Sequence, residues 1–291
     1  MNKPIKGYLR TGIRPASPKG MTVNLQLEDS WIQRFTGLDA PLAKPGELEQ
    51  WIVYQDDHIL ALNKPGWLVC HPSKNGPMSS LVGVAKEHLQ LDKSYLVSRL
   101  DRETSGIVLI AKTKKGASCY QRAIEQRRVH KTYWVWLQGK LDGKTEVNKP
   151  LARDMESPVY VKQTVRKSNS SQSAVTIFEP RFYSTEFDMT VAEVIPVTGR
   201  KHQIRAHAQW LGTPVYGDKI YGPDANCYLE FIEKGWTVQL QQTLGFPRQA
   251  LHASRLVFDG IELQTDFHAP LTPDLLQLSH YIGWDNATAE N

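Results

Sequence analysis

Asp101 is the residue in this sequence whose setting most suggests chemistry. It lies between Arg99 and Arg102, just ahead of Gly106 and a continuous apolar run from Ile107 to Ala111. That pattern puts a carboxylate on a loop at the mouth of a strand buried on both faces. With a guanidinium within a few ångströms such a carboxylate stays ionised against the desolvation of a partly dry pocket, and it can attack as a nucleophile. The same residues also describe a loop aspartate paired with arginines for structure. A second cluster, Arg200, Lys201, His202, Arg205, His207 and Gln209, falls on one short stretch. The spacing predicts a helix over 200–211, ended by Gly212 and Pro214. On it His202, Arg205 and Gln209 share a face at i, i+3 and i+7, opposite Ile204, Ala208 and Leu211. A cationic face suits phosphate contact, and a solvated helix surface would show the same pattern. His202 and His207 are five residues apart and diverge around a helix, with no third ligand near in sequence, which argues against zinc. Tyr133 and Trp136 are aromatics on a predicted strand. There they fit a core or sheet surface, while an aromatic at a cleft can stack on an extruded base for about 1 to 3 kcal/mol.

The elements that must position these residues are legible in outline. Ile52 to Tyr54 and Ile59 to Leu62 form two short strands around the turn at Gln55 to His58, and Pro65-Gly66 ends the second. A helix is expected over 81–89. Another runs from a Thr113 cap to about Arg128, with Ala117, Tyr120 and Ile124 at helical spacing. Lys131 to Leu137 alternates as a strand, with Lys131, Tyr133, Val135 and Leu137 on one face and Thr132, Trp134 and Trp136 on the other. Asp188 to Ile195 alternates again, a helix follows near 227–234, and a late strand covers 250–258. Strands and helices mix without a regular βαβ repeat, so the expected class is α+β with a mixed, largely antiparallel central sheet and flanking helices. The chain divides into an N-terminal extension (1–45), a catalytic domain (46–275) and a C-terminal tail (276–291).

Composition sets the remaining bounds. At 291 residues, 41% hydrophobic and 22% charged, the chain matches an ordinary globular protein. No run approaches a membrane-spanning length and the N-terminus lacks the apolar stretch of a secretory signal, so the cytoplasm is the expected location. Three separated cysteines, Cys70, Cys119 and Cys227, argue against a disulfide scaffold and a structural zinc site. A formal charge of +5 fits a polyanionic partner. No Gly-rich phosphate loop is present.

The segment Arg99-Leu100-Asp101-Arg102-Glu103-Thr104-Ser105-Gly106 resembles the signature of the RluA family of RNA pseudouridine synthases. Further matches occur in the family's order: Leu62-Asn63-Lys64-Pro65, Lys131-Thr132-Tyr133, Thr198 to His207, Gly217-Asp218 with Tyr221-Gly222, and Leu251-His252-Ala253. The resemblance spans about Trp51 to Phe267. It implies the pseudouridine synthase fold and an isomerase that turns specific uridines of transfer or ribosomal RNA into pseudouridine, without cofactor or metal. It makes Asp101 the catalytic aspartate, Tyr133 the aromatic that packs on the target uracil, and Arg205 the cation paired with Asp101. Arg99 would occupy the space a flipped uridine leaves. Arg99, Arg102, Lys64, Arg200, Lys201 and His202 are the expected RNA contacts. A flipped base is needed because the reacting atoms cannot be reached inside a helix. Many members of that family carry His where this chain has Ser98, so a hydrogen bond to the active-site loop must be replaced. Residues 1–45 are too short for the separate RNA-binding domain of some ribosomal-RNA members. The expected enzyme is a monomer without an obligate protein partner. Two rivals are an aspartyl phosphotransferase, which usually needs a second Asp where position 103 is Glu, and a non-catalytic RNA-binding protein of the same fold.

Overall fold

The apolar run after Gly106 becomes β4 (Ser105–Ala111), with every residue buried. It divides two layers of core. Val108 and Ile110 pack with Leu81, Val84 and Ala85 of α2 (Leu81–Leu89), while Ile107, Leu109 and Ala111 meet Ala117, Tyr120 and Ala123 of α3 (Lys114–Glu125). Both helices start where the sequence supplies a cap: the Ser80 hydroxyl accepts from the Gly83 amide and the Thr113 hydroxyl from Gly116. This computed structural model describes residues 33–35, 39–71 and 75–285.

The remaining elements, in chain order, are α1 (Glu47–Trp51), β1 (Ile52–Gln55), β2 (Ile59–Lys64), β3 (Tyr95–Leu96), β5 (Val129–Gln138), β6 (Thr145–Asn148), β7 (Leu151–Arg153), β8 (Gln163–Val165), β9 (Val175–Ser184), β10 (Met189–Pro196), α4 (Gln203–Leu211), α5 (Asn226–Lys234), α6 (Val238–Leu244), β11 (Leu251–Phe258), β12 (Asp266–His268) and α7 (Pro273–Tyr281). The main sheet runs β1-β2-β4-β11-β5-β10-β9-β6, with β3 on β4 and β12 on β11; β7 and β8 form a separate hairpin. Among the described ladders β4–β11 is parallel and the rest are antiparallel. The α+β class with a mixed, largely antiparallel sheet is therefore as expected. The region 139–184, where the sequence offered no clear pattern, holds β6 to β9.

The alternation of β5 sorts its side chains as the sequence implied. Tyr133, Val135 and Leu137 pack towards α4, while Trp134 and Trp136 face Trp284 with ring centroids 5.0 and 5.6 Å apart. That contact corrects one expectation. Residues 276–285 are not a tail: Leu275, Leu278 and Ile282 recur at i, i+3 and i+7, and together with Trp284 they are buried against the sheet. Most of the expected extension at 1–45 lies outside the described residues, but Phe35 and Ala43 are buried in the same cluster as Trp67 and α2.

Candidate active site

Asp101 opens a tight turn in which the Thr104 amide donates to its carbonyl, and the chain then enters β4. Buried groups brace this turn from beneath. Lys64 at the end of β2 is fully buried, and its ammonium donates to the carbonyls of Pro65 and Leu68 (2.8 Å each) and Arg102 (2.9 Å). Burial pushes its pKa down to about 7, but three carbonyl acceptors consume all three of its protons. Arg248, also fully buried, donates to the Glu103 carbonyl, the Ser105 hydroxyl and the Asp274 carboxylate. Gln249 donates to the Thr104 hydroxyl at 2.6 Å. Gly106 brings β11 alongside: its φ is +108°, and a Cβ there would collide with the Ala253 carbonyl of the parallel neighbour.

Facing this turn is α4. Arg205 Nη1 donates to Asp101 Oδ2 at 2.8 Å, while Nε and Nη2 grip Asp218 at 2.6 and 2.9 Å. Asp218 is fully buried, and its Oδ1 also accepts the amides of Ile220 and Tyr221. The Tyr221 ring lies 4.9 Å from the guanidinium. One arginine thus bridges a deep carboxylate and one whose side chain is 32% exposed. Burial alone would raise the Asp101 carboxyl; the Arg205 charge, His202 and hydrogen bonds from Arg205 and Gln249 outweigh it and hold the group below its ordinary range. Burial opposes the Arg205 charge as well, yet Asp218 and then Asp101 raise its pKa on balance. The pair is ionised.

Asp101, Arg205 and Tyr133 line one cleft of about 440 Å³, together with Arg99, Arg127, Lys131, Arg200 and His202. That volume is within the roughly 300–1,000 Å³ usual for small-molecule sites. Tyr133 reaches it from β5, and burial followed by the Asp101 charge raises its phenol, which stays protonated. The structure therefore brings together the three residues assigned catalytic roles. Among the expected RNA contacts, Arg99 and Lys201 are exposed, and Arg200 lines the cleft while donating to the Ser173 carbonyl. Three expectations need correction. Lys64 is sealed inside as a brace. Arg102 turns its Nε to the Trp67 carbonyl and does not line the cleft. His202 points Nδ1 at the Tyr221 hydroxyl and Nε2 at Asp101, with its side chain only 8% exposed. The helix also starts later than predicted, at Gln203, and its cationic face is buried rather than solvated. Sequence reasoning passed over Lys131, whose ammonium burial pushes down, and Arg127, held at φ +58°. It also quoted Asp218 without giving it a task. The Ser98 hydroxyl accepts the Leu109 amide inside β4, a bond to the strand and not to the active-site loop. Glu103, which stands where a phosphotransferase would usually have its second Asp, is engaged by Lys219 at 2.6 Å.

Comparison with known proteins gives the family. Residues 58–210 match the RNA pseudouridylate synthase family. The chain is 33% identical over 239 residues to ribosomal large subunit pseudouridine synthase C of Vibrio cholerae, covering 81% of this chain and 70% of that protein. It is 30% identical to ribosomal large subunit pseudouridine synthase D of Vibrio parahaemolyticus, covering 97% and 83%. Its fold is similar to the solved structure of human RNA Pseudouridylate Synthase Domain Containing 4, with a TM-score of 0.63 at 24% identity over 81% of this chain and 94% of that one. The chain belongs to the RNA pseudouridylate synthase family. It is an isomerase acting on RNA. Among the described residues no helix is long and apolar enough to cross a membrane.

Proposed function

We propose that Asp101 starts the conversion of an extruded uridine to pseudouridine, with Arg205 keeping it charged and Tyr133 covering the uracil ring. The observation that carries this reading is the 2.8 Å pair between Arg205 and Asp101 Oδ2 in a cleft that Tyr133 also lines. In the reaction the N1–C1′ bond breaks, C5 joins C1′, one proton leaves C5 and one is gained at N1. The product is an isomer, so the balance calls for no oxidant, reductant or nucleotide. A carboxylate kept ionised where water is scarce is the group this bond exchange needs. Arg99, exposed at the cleft rim, is placed to fill the gap in the RNA stack, and Arg200 and Lys201 supply phosphate contacts.

Ribosomal RNA is the favoured substrate, supported by relatives named for the large ribosomal subunit, and the cytoplasm is the corresponding location. The test uses ribosomal and transfer RNA labelled with tritium at uridine C5. Purified enzyme should release tritium from ribosomal RNA, while Asp101→Asn should abolish release and leave RNA affinity within about threefold, since phosphate contacts dominate affinity. Release that survives the substitution would reject Asp101, and release confined to transfer RNA would reject the substrate.

A further inference from the structure

His202 faces Asp101 from the start of α4, with Nε2 3.7 Å from Oδ2, the oxygen that Arg205 also holds. Its backbone is left-handed, φ +55°, a conformation that residues with a side chain adopt at a cost and that clusters where function requires it. The resulting turn sets the imidazole between Asp101 and Tyr221. The buried Tyr221 hydroxyl accepts the Gln163 amide at 2.7 Å and lies 3.0 Å from His202 Nδ1. A buried phenolic proton needs an acceptor, and among the described contacts of this hydroxyl that acceptor is Nδ1. Nδ1 is then unprotonated and the ring proton sits on Nε2. The opposite end selects the same tautomer, because an Nε2 lone pair aimed at a carboxylate would be repelled where an N–H is attracted.

Nor does the ring gain a second proton near neutrality. Burial opposes it most, and Arg205 of α4 and the adjacent Lys201 oppose it too. They prevail over Asp101 of the catalytic turn and Asp218 from the segment after α4, leaving a pKa of about 4. A spacing of 3.7 Å is an ion–dipole contact, and contacts of this kind commonly tighten only as the reacting complex forms. We propose that His202 is a positioning residue for Asp101, acting as a neutral Nε2–H donor whose tautomer is set by Tyr221. The proposal rests on Asp101 being the reacting carboxylate. A neutral donor orients that carboxylate without adding a second full positive charge to the one Arg205 supplies.

The full-length protein with ¹⁵N-labelled histidine tests this directly. Long-range ¹H–¹⁵N correlation should show the His202 ring as a single Nε2–H tautomer that does not titrate between about pH 5 and 8, the window of an unperturbed imidazole. In Tyr221→Phe the ring should mix tautomers, since Nδ1 loses the phenolic donor. His202→Gln places its amide donor where Nε2 lies and should keep turnover within about threefold, whereas His202→Asn reaches only the Nδ1 position and should lose about 10-fold or more, the scale of a hydrogen bond to a charged group. RNA affinity should hold in both. An Nδ1–H or doubly protonated ring in the unmodified protein at neutral pH would overturn the proposal. So would equal turnover of the two variants, or a loss confined to RNA binding. Tritium release that persists in Asp101→Asn would instead remove the assignment of Asp101 while leaving the tautomer measurement standing, so the two failures are separable.

Discussion

Replacing Asp218 by asparagine should cripple the site from a position with no access to substrate. The side chain is fully buried and accepts four donors: Arg205 Nε at Oδ2, and Arg205 Nη2 with the Ile220 and Tyr221 amides at Oδ1. An asparagine amide has one NH2, and whichever way it turns, that group meets at least one N–H. Removing one partner of a buried ion pair costs about 3–5 kcal/mol. Arg205 retains Asp101, so the lower end applies, about 3 kcal/mol. For a domain of this size that lowers the melting temperature by roughly 6–12 °C. Turnover should fall by about 100-fold, the effect of misplacing a reacting group by about 1 Å. Asp101→Asn supplies the contrast: loss of the carboxylate should abolish turnover, while its partly exposed side chain keeps the stability change within about 1 kcal/mol. Asp142→Asn, which removes a surface pair with Lys140 whose carboxylate is 86% exposed, serves as a control expected to change nothing measurable. Scanning calorimetry and tritium release on the three proteins decide the matter. An Asp218→Asn protein melting within about 2 °C of the unmodified chain and turning over normally would refute the claim that the deep half of the ion bridge holds the reacting half.

Lys64→Met should lower turnover and leave RNA affinity unchanged, because the lost contacts are to buried carbonyls under the catalytic turn; a filter-binding assay showing weakened RNA binding instead would restore Lys64 as a phosphate contact. Tyr133→Phe should preserve affinity for the substrate RNA and reduce turnover, while Tyr133→Leu should also lose about 1–3 kcal/mol of binding, measured by titration against an RNA carrying an unreactive uridine analogue. Stability should depend on pH through histidines held neutral. His252 is fully buried, its Nε2 near the Ala269 carbonyl and its Nδ1 near the Ser105 hydroxyl, and burial pushes its pKa to about 4, as it does for His202. Above an unfolded value of about 6.5 their contribution is complete; as pH falls towards 4 the unfolded chain takes up protons the fold refuses, at up to about 1.4 kcal/mol per pH unit for each ring. The lowered Asp101 and Asp218 carboxyls keep their contribution until pH drops below about 4. Urea unfolding at pH 7, 5.5 and 4.5 should therefore show a steady decline, and a flat profile would mean that these rings take up protons as readily in the fold as in the unfolded chain.

Much of the site was legible because it depends on local pattern. Gly106 followed by an unbroken apolar run placed Asp101 at a strand mouth, and two-residue alternation put Tyr133 and Trp136 on opposite faces of β5. What failed were the inferences that turned Lys64, Arg102 and His202 outward as RNA contacts. Arg205 does lie on a helix and His202 just ahead of it, yet the partners that bury them, Asp218 and Tyr221, come from a segment whose proximity follows only from tertiary packing. Lys64 went wrong for the same reason: a lysine ahead of Pro65 gives no sign that three carbonyls surround its ammonium. The C-terminal helix was missed although its apolar spacing was present, and β6 to β9 carry too little alternation to stand out.

Arg248 has a consequence for the order in which the enzyme becomes competent. Its guanidinium ties the Glu103 carbonyl, two residues from Asp101, to the Asp274 carboxylate at the start of α7. A growing polypeptide carries Asp101 long before the Asp274 to which Arg248 ties its turn. Until α7 docks, Arg248 lacks the buried carboxylate of Asp274, and the turn that carries Asp101 is held by Lys64 and Gln249 without its third brace.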